Sequence, residues 1–569
     1  MTWARPLSAS VLVLSFLVAS LAPAQNAAPN AAAPRPAGYN ELYDERGQVR
    51  PQYREFHDLW SRLTQDQREQ YLVTSRQAFH GDNALDALPR VLTGAEYDQV
   101  LKPGVEQRAK ALRAFLQDHY SGRRSYLAAG LIPQDALNRI IGRSYEQGYD
   151  RLVKADQIWF MYGPDIIRDA RGTFRVIEDN PGFIGGVGDL RLAYNETLKL
   201  YAKNPVSAPF RSPEDFYKQL AEKYKAEAAK RGGKAVVYMT PPYADKEDFR
   251  IQKIFRDYGI ETVTNRTNRR LKIEADGVYV QNTRDASQPL EKVGFVAMIG
   301  EHWWLDPSHP QSKIKQAVME IESHLEEGGL DPKIEKQMRA MLERLQLHPE
   351  TVRMVDIHNL IDRSNFLGSL RQEVAKSPEG HGLVKAILNR QVGSNYAPGV
   401  DFIGDKEFYT FVEDMIRHYL REEPILKNIT TERFADPRSG GLNEVLAQRI
   451  FSNLSKYVIK KVDGRGGDAV WVGPKIKPEE IPALRERVAR DPGMYIVQEF
   501  MPLSYMNDVI VDMRVISDVS PDKILVTETP WGRGLPMSGN GKVNLSDAGR
   551  EITILVGSQR APLCKWMFK

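Results

Sequence analysis

Tyr457-Val458-Ile459-Lys460-Lys461-Val462-Asp463-Gly464-Arg465-Gly466-Gly467-Asp468-Ala469-Val470-Trp471-Val472 is the stretch on which the reading of this chain turns. It reads as a β-strand that ends in a lysine, a glycine-rich turn and a second strand. Glycines let successive backbone N–H groups close around an anion. A lysine at the strand end adds a point charge aimed at the same phosphates. A Walker loop instead opens a helix and needs Gly-Lys-Ser/Thr; neither this stretch nor Gly541-Lys542-Val543 fits that pattern. Taken alone, the segment reads first as a plain hairpin with a glycine turn.

Two further segments change its weight. Downstream, Met494-Tyr495-Ile496-Val497-Gln498-Glu499-Phe500-Met501 is a strand ending in Gln-Glu and apolar residues. Backbone groups there could bond the edge of an adenine while apolar side chains pack its faces, although an edge strand is the simpler reading. Far upstream lies Ile177-Glu178-Asp179-Asn180-Pro181-Gly182-Phe183-Ile184-Gly185-Gly186-Val187-Gly188. Alternation along a strand points Glu178 and Asn180 to one face. One carboxylate and one amide oxygen suit Mg²⁺, which keeps waters and substrate phosphates in its remaining positions. Asp165, just after the preceding strand, could add a second carboxylate. The plainer alternative is a turn with solvated acids.

The order of these pieces resembles the circularly permuted ATP-grasp proteins, a group that includes relatives of glutathionylspermidine synthetase. In ordinary ATP-grasp enzymes the Glu-x-Asn pair follows the lysine–glycine loop; here it comes far before it. The resemblance runs through Tyr43-Asp44-Glu45, Val49-Arg50-Pro51, Leu88-Pro89-Arg90-Val91, Gln107-Arg108-Ala109-Lys110-Ala111-Leu112 and Phe115-Leu116 to Glu178-Asp179-Asn180. It continues in Gly404-Asp405-Lys406, Glu422-Glu423-Pro424-Ile425-Leu426, the lysine–glycine loop, Gln498-Glu499 and Asp512-Met513-Arg514. It implies an α+β fold: a circularly permuted ATP-grasp core with a small α/β (pre-ATP-grasp-like) domain and a helical N-terminal region. It also implies roles. Lys460 and the amides around Gly464, Gly466 and Gly467 would hold the phosphates of ATP. Gln498, Glu499 and Met501 would line the adenine pocket. Asp165, Glu178 and Asn180 would hold Mg²⁺, and Arg514 would meet the γ-phosphate or an acyl phosphate. Arg533 and Asn544 are further candidates nearby. The activity implied is ligation of a small-molecule or peptide carboxylate to an amine, with a retired fold that only binds peptide or carbohydrate as the alternative. Two departures stand out: the segment after Asn180 lacks the family's usual Arg, Pro, Ser and Gly order, and Lys461 stands where proline is common.

Outward from these motifs, residues 39–145 read as mainly helical; Val105, Ala109, Leu112 and Leu116 recur at helical spacing. Strand-like runs follow at 157–161 and 173–177, with a turn at Asp169-Ala170-Arg171-Gly172. A small α/β domain is expected over 206–310, with strands at 235–239 and 260–263, a helix from about Lys246 and an end near 295–299. Residues 311–400 read as a helical insertion. Glu301-His302-Trp303-Trp304 reads as buried aromatics beside a satisfied histidine. The nucleotide-binding region would be 401–569, with strands at 456–461, 469–472, 495–499, 509–516 and 524–527.

At 569 residues, 42% hydrophobic and 27% charged, the chain has an ordinary globular composition. A net charge of +4 gives no reason to expect a nucleic-acid or membrane partner. The single cysteine, Cys564, rules out an internal disulfide framework. Arg5, the apolar run Val11-Leu12-Val13-Leu14-Ser15-Phe16-Leu17-Val18 and Ala22-Pro23-Ala24 form the pattern of a signal peptide over 1–24. Gln25 would then start the mature chain, 25–38 would be a flexible spacer, and no membrane span would remain. Export to the periplasm or beyond raises the question of where ATP comes from. An active ligase supplied there, a retired binder and a cytoplasmic protein with a misleading N-terminus all stay open.

Overall fold

The structure is a computed structural model. It describes residues 37–558 except 80–83, 145–152, 202–209, 240–245, 264–267, 300–320, 322–324, 326–331, 348–382, 384, 438, 463–468, 544 and 546–548. The segment 1–24, Glu301-His302-Trp303-Trp304 and Cys564 therefore lie outside the described residues, as do most of 25–38 and much of 311–400.

Helices Arg54–Arg62, Gln65–Ala78, Lys102–Tyr120 and Gln134–Arg143 make the N-terminal region helical. The longest buries Val105, Ala109, Leu112 and Leu116 completely, so the stripe of apolar residues is the face that meets the core. That core includes Ile166, Val176 and Met513 from one face of an eight-stranded sheet. The sheet runs in the order Arg90–Leu92, Arg550–Val556, Trp531–Pro536, Val509–Arg514, Asp165–Arg168, Phe174–Glu178, Lys427–Asn428, with Tyr505–Met506 also paired to Val509–Arg514. Early and late segments of the chain thus alternate in one sheet. Val511 and Met513 face Gly534 and Gly532 across the ladder. A Cβ on Gly532 would stand 2.4 Å from the Ile552 carbonyl oxygen, so that close approach requires glycine.

A four-stranded antiparallel sheet is ordered Thr431–Arg433, Tyr495–Glu499, Tyr457–Lys461, Val470–Val472. Helices Glu444–Ser452 and Ile481–Arg490 back it through Leu446, Ile450, Leu484 and Val488. A second four-stranded sheet pairs Ile524–Val526, Ser517–Val519, Phe160–Tyr162 and Pro181–Gly182.

The α/β part has six strands. Lys234–Met239 lies parallel to Glu261–Val263 and to Glu291–Ile299, and the hairpin Arg269–Glu274 with Gly277–Asn282 extends the sheet. Gly393–Ser394 joins it parallel to Phe295–Val296. Helices Glu214–Ala229 and Lys246–Asp257 cover one face, and Ala386, Ile387 and Val392 cover the other. Within 311–400, helix Pro332–Leu347 is described, and residues 385–400 pack onto the α/β sheet and its surroundings.

The sequence-based strands at 457–461, 470–472, 495–499, 509–514 and 524–526 sit within two residues of expectation. Asp165 differs. It opens a strand of its own, because Gly163-Pro164 interrupts the ladder and the chain resumes pairing beyond it.

Candidate functional site

Two of these sheets face each other across an open cleft. The large sheet contributes Asp165, Ile167, Ile177, Glu178, Asp512, Arg514 and Arg533; the four-stranded sheet contributes Val458, Lys460, Val470, Val472 and Gln498. Asn180, Lys406, Met501 and Lys542 also line it. Apolar side chains thus form the walls at one end, and charges gather at the other.

The charged end follows from strand register. Glu178, Asp165, Arg514 and Trp531 are successive cross-strand partners, so they form one row across four strands. The pairing shifts between Asp165 and Ile166: Asp165 meets Glu178 while Ile166 meets Val176. Ile177 is the extra residue of a bulge, and both Ile177 and Glu178 come to line the cleft. Two residues along from Arg514 and Trp531, Asp512 and Arg533 make the next row.

These charges are paired. Arg514 donates to Asp165 through Nε at 2.9 Å and lies 2.8 Å from it through Nη2, and its Nη1 donates to the Gly185 carbonyl at 3.0 Å. Arg533 bridges Asp165 at 2.9 Å and Asp512 at 2.6 Å. Burial alone would raise the Asp165 carboxyl, but Arg514 and Arg533 outweigh it and hold the group well below the usual carboxylate range. Asp165 is therefore an anion fixed between two guanidiniums.

Lys460 lies 93% buried, and its Nζ donates to the Ile177 carbonyl at 3.4 Å. Burial pulls its pKa down to about 8, with Lys406 adding to the effect and Glu178 and Asp165 opposing it. Gln498 donates to the same Ile177 carbonyl at 3.1 Å and to Thr431 Oγ1 at 3.2 Å. Lys406 stands 3.0 Å from Glu178 and is itself buried. Its place was visible in Gly404-Asp405-Lys406, but nothing in the sequence brought that segment to Glu178. In the fold, Arg143 grips the neighbouring Asp405 with two bonds of 2.9 and 3.0 Å.

Between the cleft acids, Asp179 turns inward. Arg108 holds it at 3.1 and 2.6 Å, and Tyr162 donates to it at 2.5 Å. Arg108 and Asp179 are both inaccessible to solvent, so the Glu-x-Asn strand end is bolted to helix Lys102–Tyr120. Asn180 donates through Nδ2 to the Gly163 carbonyl at 3.2 Å, which leaves Oδ1 as its acceptor.

The structure thus gathers Asp165, Glu178, Asn180, Lys460, Gln498, Met501, Arg514 and Arg533 around one cleft, with Glu499 at its apolar rim. Gly464, Gly466, Gly467 and Asn544 lie outside the described residues. Among the described residues, no group of three or more His, Cys, Asp or Glu side chains stands at metal-holding spacing. No described helix is long and apolar enough to cross a membrane.

An antiparallel sheet and an acid- and arginine-bearing sheet closing on one cleft define the ATP-grasp class. The circularly permuted ATP-grasp type 2 family matches residues 89–330 and 354–524, and the chain belongs to it. Two proteins of Frankia alni and Frankia casuarinae, each named "Putative glutamate--cysteine ligase", are 26% identical over 86% and 88% of the chain. The chain spans about half the length of these relatives, 51% and 53%. An uncharacterized protein of Synechocystis sp. is 24% identical over 91% of this chain and 97% of its own length. A solved glutathione synthetase-like effector from Globodera pallida, in apo form, is 11% identical with a TM-score of 0.42, over 86% of this chain and 97% of that one. The family is one of ATP-grasp ligases, which generally use ATP and Mg²⁺.

Proposed function

We propose that the chain is an ATP- and Mg²⁺-dependent ligase that joins a small-molecule or peptide carboxylate to an amine through an acyl phosphate. One observation carries this reading: Lys460, from the last third of the chain, reaches the Ile177 carbonyl beside Glu178, from the first third, inside the cleft between the two sheets.

The roles follow from position. The adenine would lie between Ile167, Ile429, Val458 and Val472, with Gln498 beneath it. The amides of Glu499 and Phe500 are taken by the Thr430 and Lys456 carbonyls, so the base edge would meet the chain beyond them, at Met501. Lys460 and Lys406 would neutralise phosphate oxygens, with the amides of Gly464, Gly466 and Gly467, and Asn544, completing the cradle. The donor set suits Mg²⁺, since it is all oxygen and leaves positions for phosphate. Glu178 and Asn180 would hold the ion, with Asp165 alongside and shared with Arg514 and Arg533. Bound there, Mg²⁺ would supply charge neutralisation at the β- and γ-phosphates.

A carboxylate is a poor electrophile. Transfer of the γ-phosphoryl gives it a leaving group, and the amine then attacks the carbonyl and expels phosphate. The side chains need do little covalent chemistry. Arg514, fixed by Asp165 and Gly185, would stabilise charge on the transferring phosphoryl, and Arg533 would keep Asp165 in place. The names of the Frankia relatives fit a carboxylate and an amine as substrates. We further propose that residues 1–24 export the chain, which N-terminal sequencing of the secreted form would test by starting at Gln25.

Calorimetry of the mature chain with Mg-ATP tests the central reading. Wild type should bind, and Glu178→Ala should bind much more weakly or only without Mg²⁺ dependence. No heat from wild type would instead favour a retired fold that binds peptide or carbohydrate.

A further inference from the structure

A glycine-rich segment, Gly185-Gly186-Val187-Gly188, follows Asn180, and the structure shows what it meets. Gly186 and Gly188 both donate their backbone N–H groups to one carboxylate oxygen of Glu247, at 2.7 and 2.9 Å. Glu247 belongs to the first turn of helix Lys246–Asp257, in the α/β part of the molecule. The same helix sends Arg250 to an ion pair with Asp189 and to the Phe79 carbonyl at 3.1 Å. It is also seated closely: a Cβ on Gly188 would lie 2.8 Å from the Glu247 carbonyl oxygen. On the other side, Gly186 has φ +99°, and a Cβ there would lie 2.4 Å from the Trp531 ring.

Between these two anchored amides and Asn180 lies Gly185, whose carbonyl accepts from Arg514 Nη1. Arg514 in turn holds Asp165, the cross-strand partner of Glu178. A continuous chain of hydrogen bonds therefore runs from the α/β helix to the cationic end of the cleft. Each link has one purpose that packing alone does not supply, which is to fix the direction of a polar group.

We propose that Glu247 is a positioning residue for the ligase reaction. It fixes the loop 185–188 so that the Gly185 carbonyl orients Arg514 toward the γ-phosphate. The proposal rests on the reading of the cleft as a Mg-ATP site, and it gives the α/β part a role in phosphoryl transfer.

The test separates nucleotides by their γ-phosphate. Binding of Mg-ADP and of a non-hydrolysable Mg-ATP analogue is measured by calorimetry on the full chain. Glu247→Ala should weaken the analogue about tenfold, the cost of a misdirected charged hydrogen bond, while Mg-ADP changes less than about twofold. Glu247→Gln keeps an oxygen able to accept both amides and should restore the analogue to within about threefold. Arg514→Lys should remove most of the effect of Glu247→Ala, because both act on one contact. Equal losses for ADP and the analogue would mark Glu247 as merely structural and overturn the proposal. So would unchanged binding of both, or losses that add fully with Arg514→Lys. Wild type that binds neither nucleotide would overturn the ligase reading and this proposal with it; wild type that binds both confines any failure to Glu247.

Discussion

Lys460 is a lysine held in a cleft where burial strips it of hydration, so its proton is loosely kept near pH 8. Phosphates brought beside it would favour the charged form and raise that value. Nucleotide binding should therefore take up a fraction of a proton between about pH 8 and 9, where the free site is partly neutral, and almost none near pH 6.5. Calorimetry in buffers of different ionisation enthalpy reads this uptake directly; Lys460→Met should abolish it. Arg108 makes a different prediction. Its removal would strand the buried Asp179 carboxylate, so Arg108→Ala should cost about 3–5 kcal/mol of stability in denaturant titration. Asp179→Asn should also be strongly destabilising, since it leaves the buried Arg108 guanidinium without its counter-charge even though Tyr162 can still donate to the amide oxygen. At this scale the residues singled out through the family resemblance, Lys460, Glu178, Asn180 and Arg514, all line one cleft, although each motif taken alone had a plainer reading. The resemblance gave Lys406 no role and passed over Glu247, since what lies beside them in space leaves no local signature.

Strands and helices were legible where periodicity is strong, and helix Lys102–Tyr120 buries the four residues that its spacing singled out. Irregular elements were not. Asp165 was read as lying just after a strand, because Gly163-Pro164 resembles an end when only one sequence is in view. The bulge at Ile177 was also invisible: a period of two predicts which face a residue takes, but a single extra residue reverses that prediction downstream. Strands Trp531–Pro536 and Arg550–Val556 were missed as well, the first because its glycines weaken the pattern of a strand. Those glycines and their neighbours make a further prediction. Gly186 has a positive φ and lies against the Trp531 ring, so Gly186→Ala combines backbone strain with overpacking. It should destabilise the protein by about 1–3 kcal/mol, seen as a lower midpoint in urea, and should weaken the ATP analogue through the displaced Gly185 carbonyl.

For the molecule as a whole, the α+β class follows from the family that the order of motifs resembles, whereas the alternation of early and late strands in one sheet is seen only in the structure. The pairing itself could not be read, since it joins residues hundreds of positions apart. A ligand that bridges both sheets should stabilise the native state more than either sheet alone would allow. At a concentration 100-fold above its dissociation constant, a Mg-bound ATP analogue should add about 2.7 kcal/mol. Differential scanning fluorimetry should show this as a rise in melting temperature that Glu178→Ala loses. The contacts that cross the cleft link residues 283 and 321 positions apart, and the Asp165–Arg514 pair within the large sheet spans 349. During synthesis the acidic strands leave the ribosome long before the lysine strand exists, and Val509–Arg514, which carries the Asp165 partner, comes later still. On the proposed reading, a chain that ends before Tyr457–Lys461 would carry only the acidic half of the nucleotide grip.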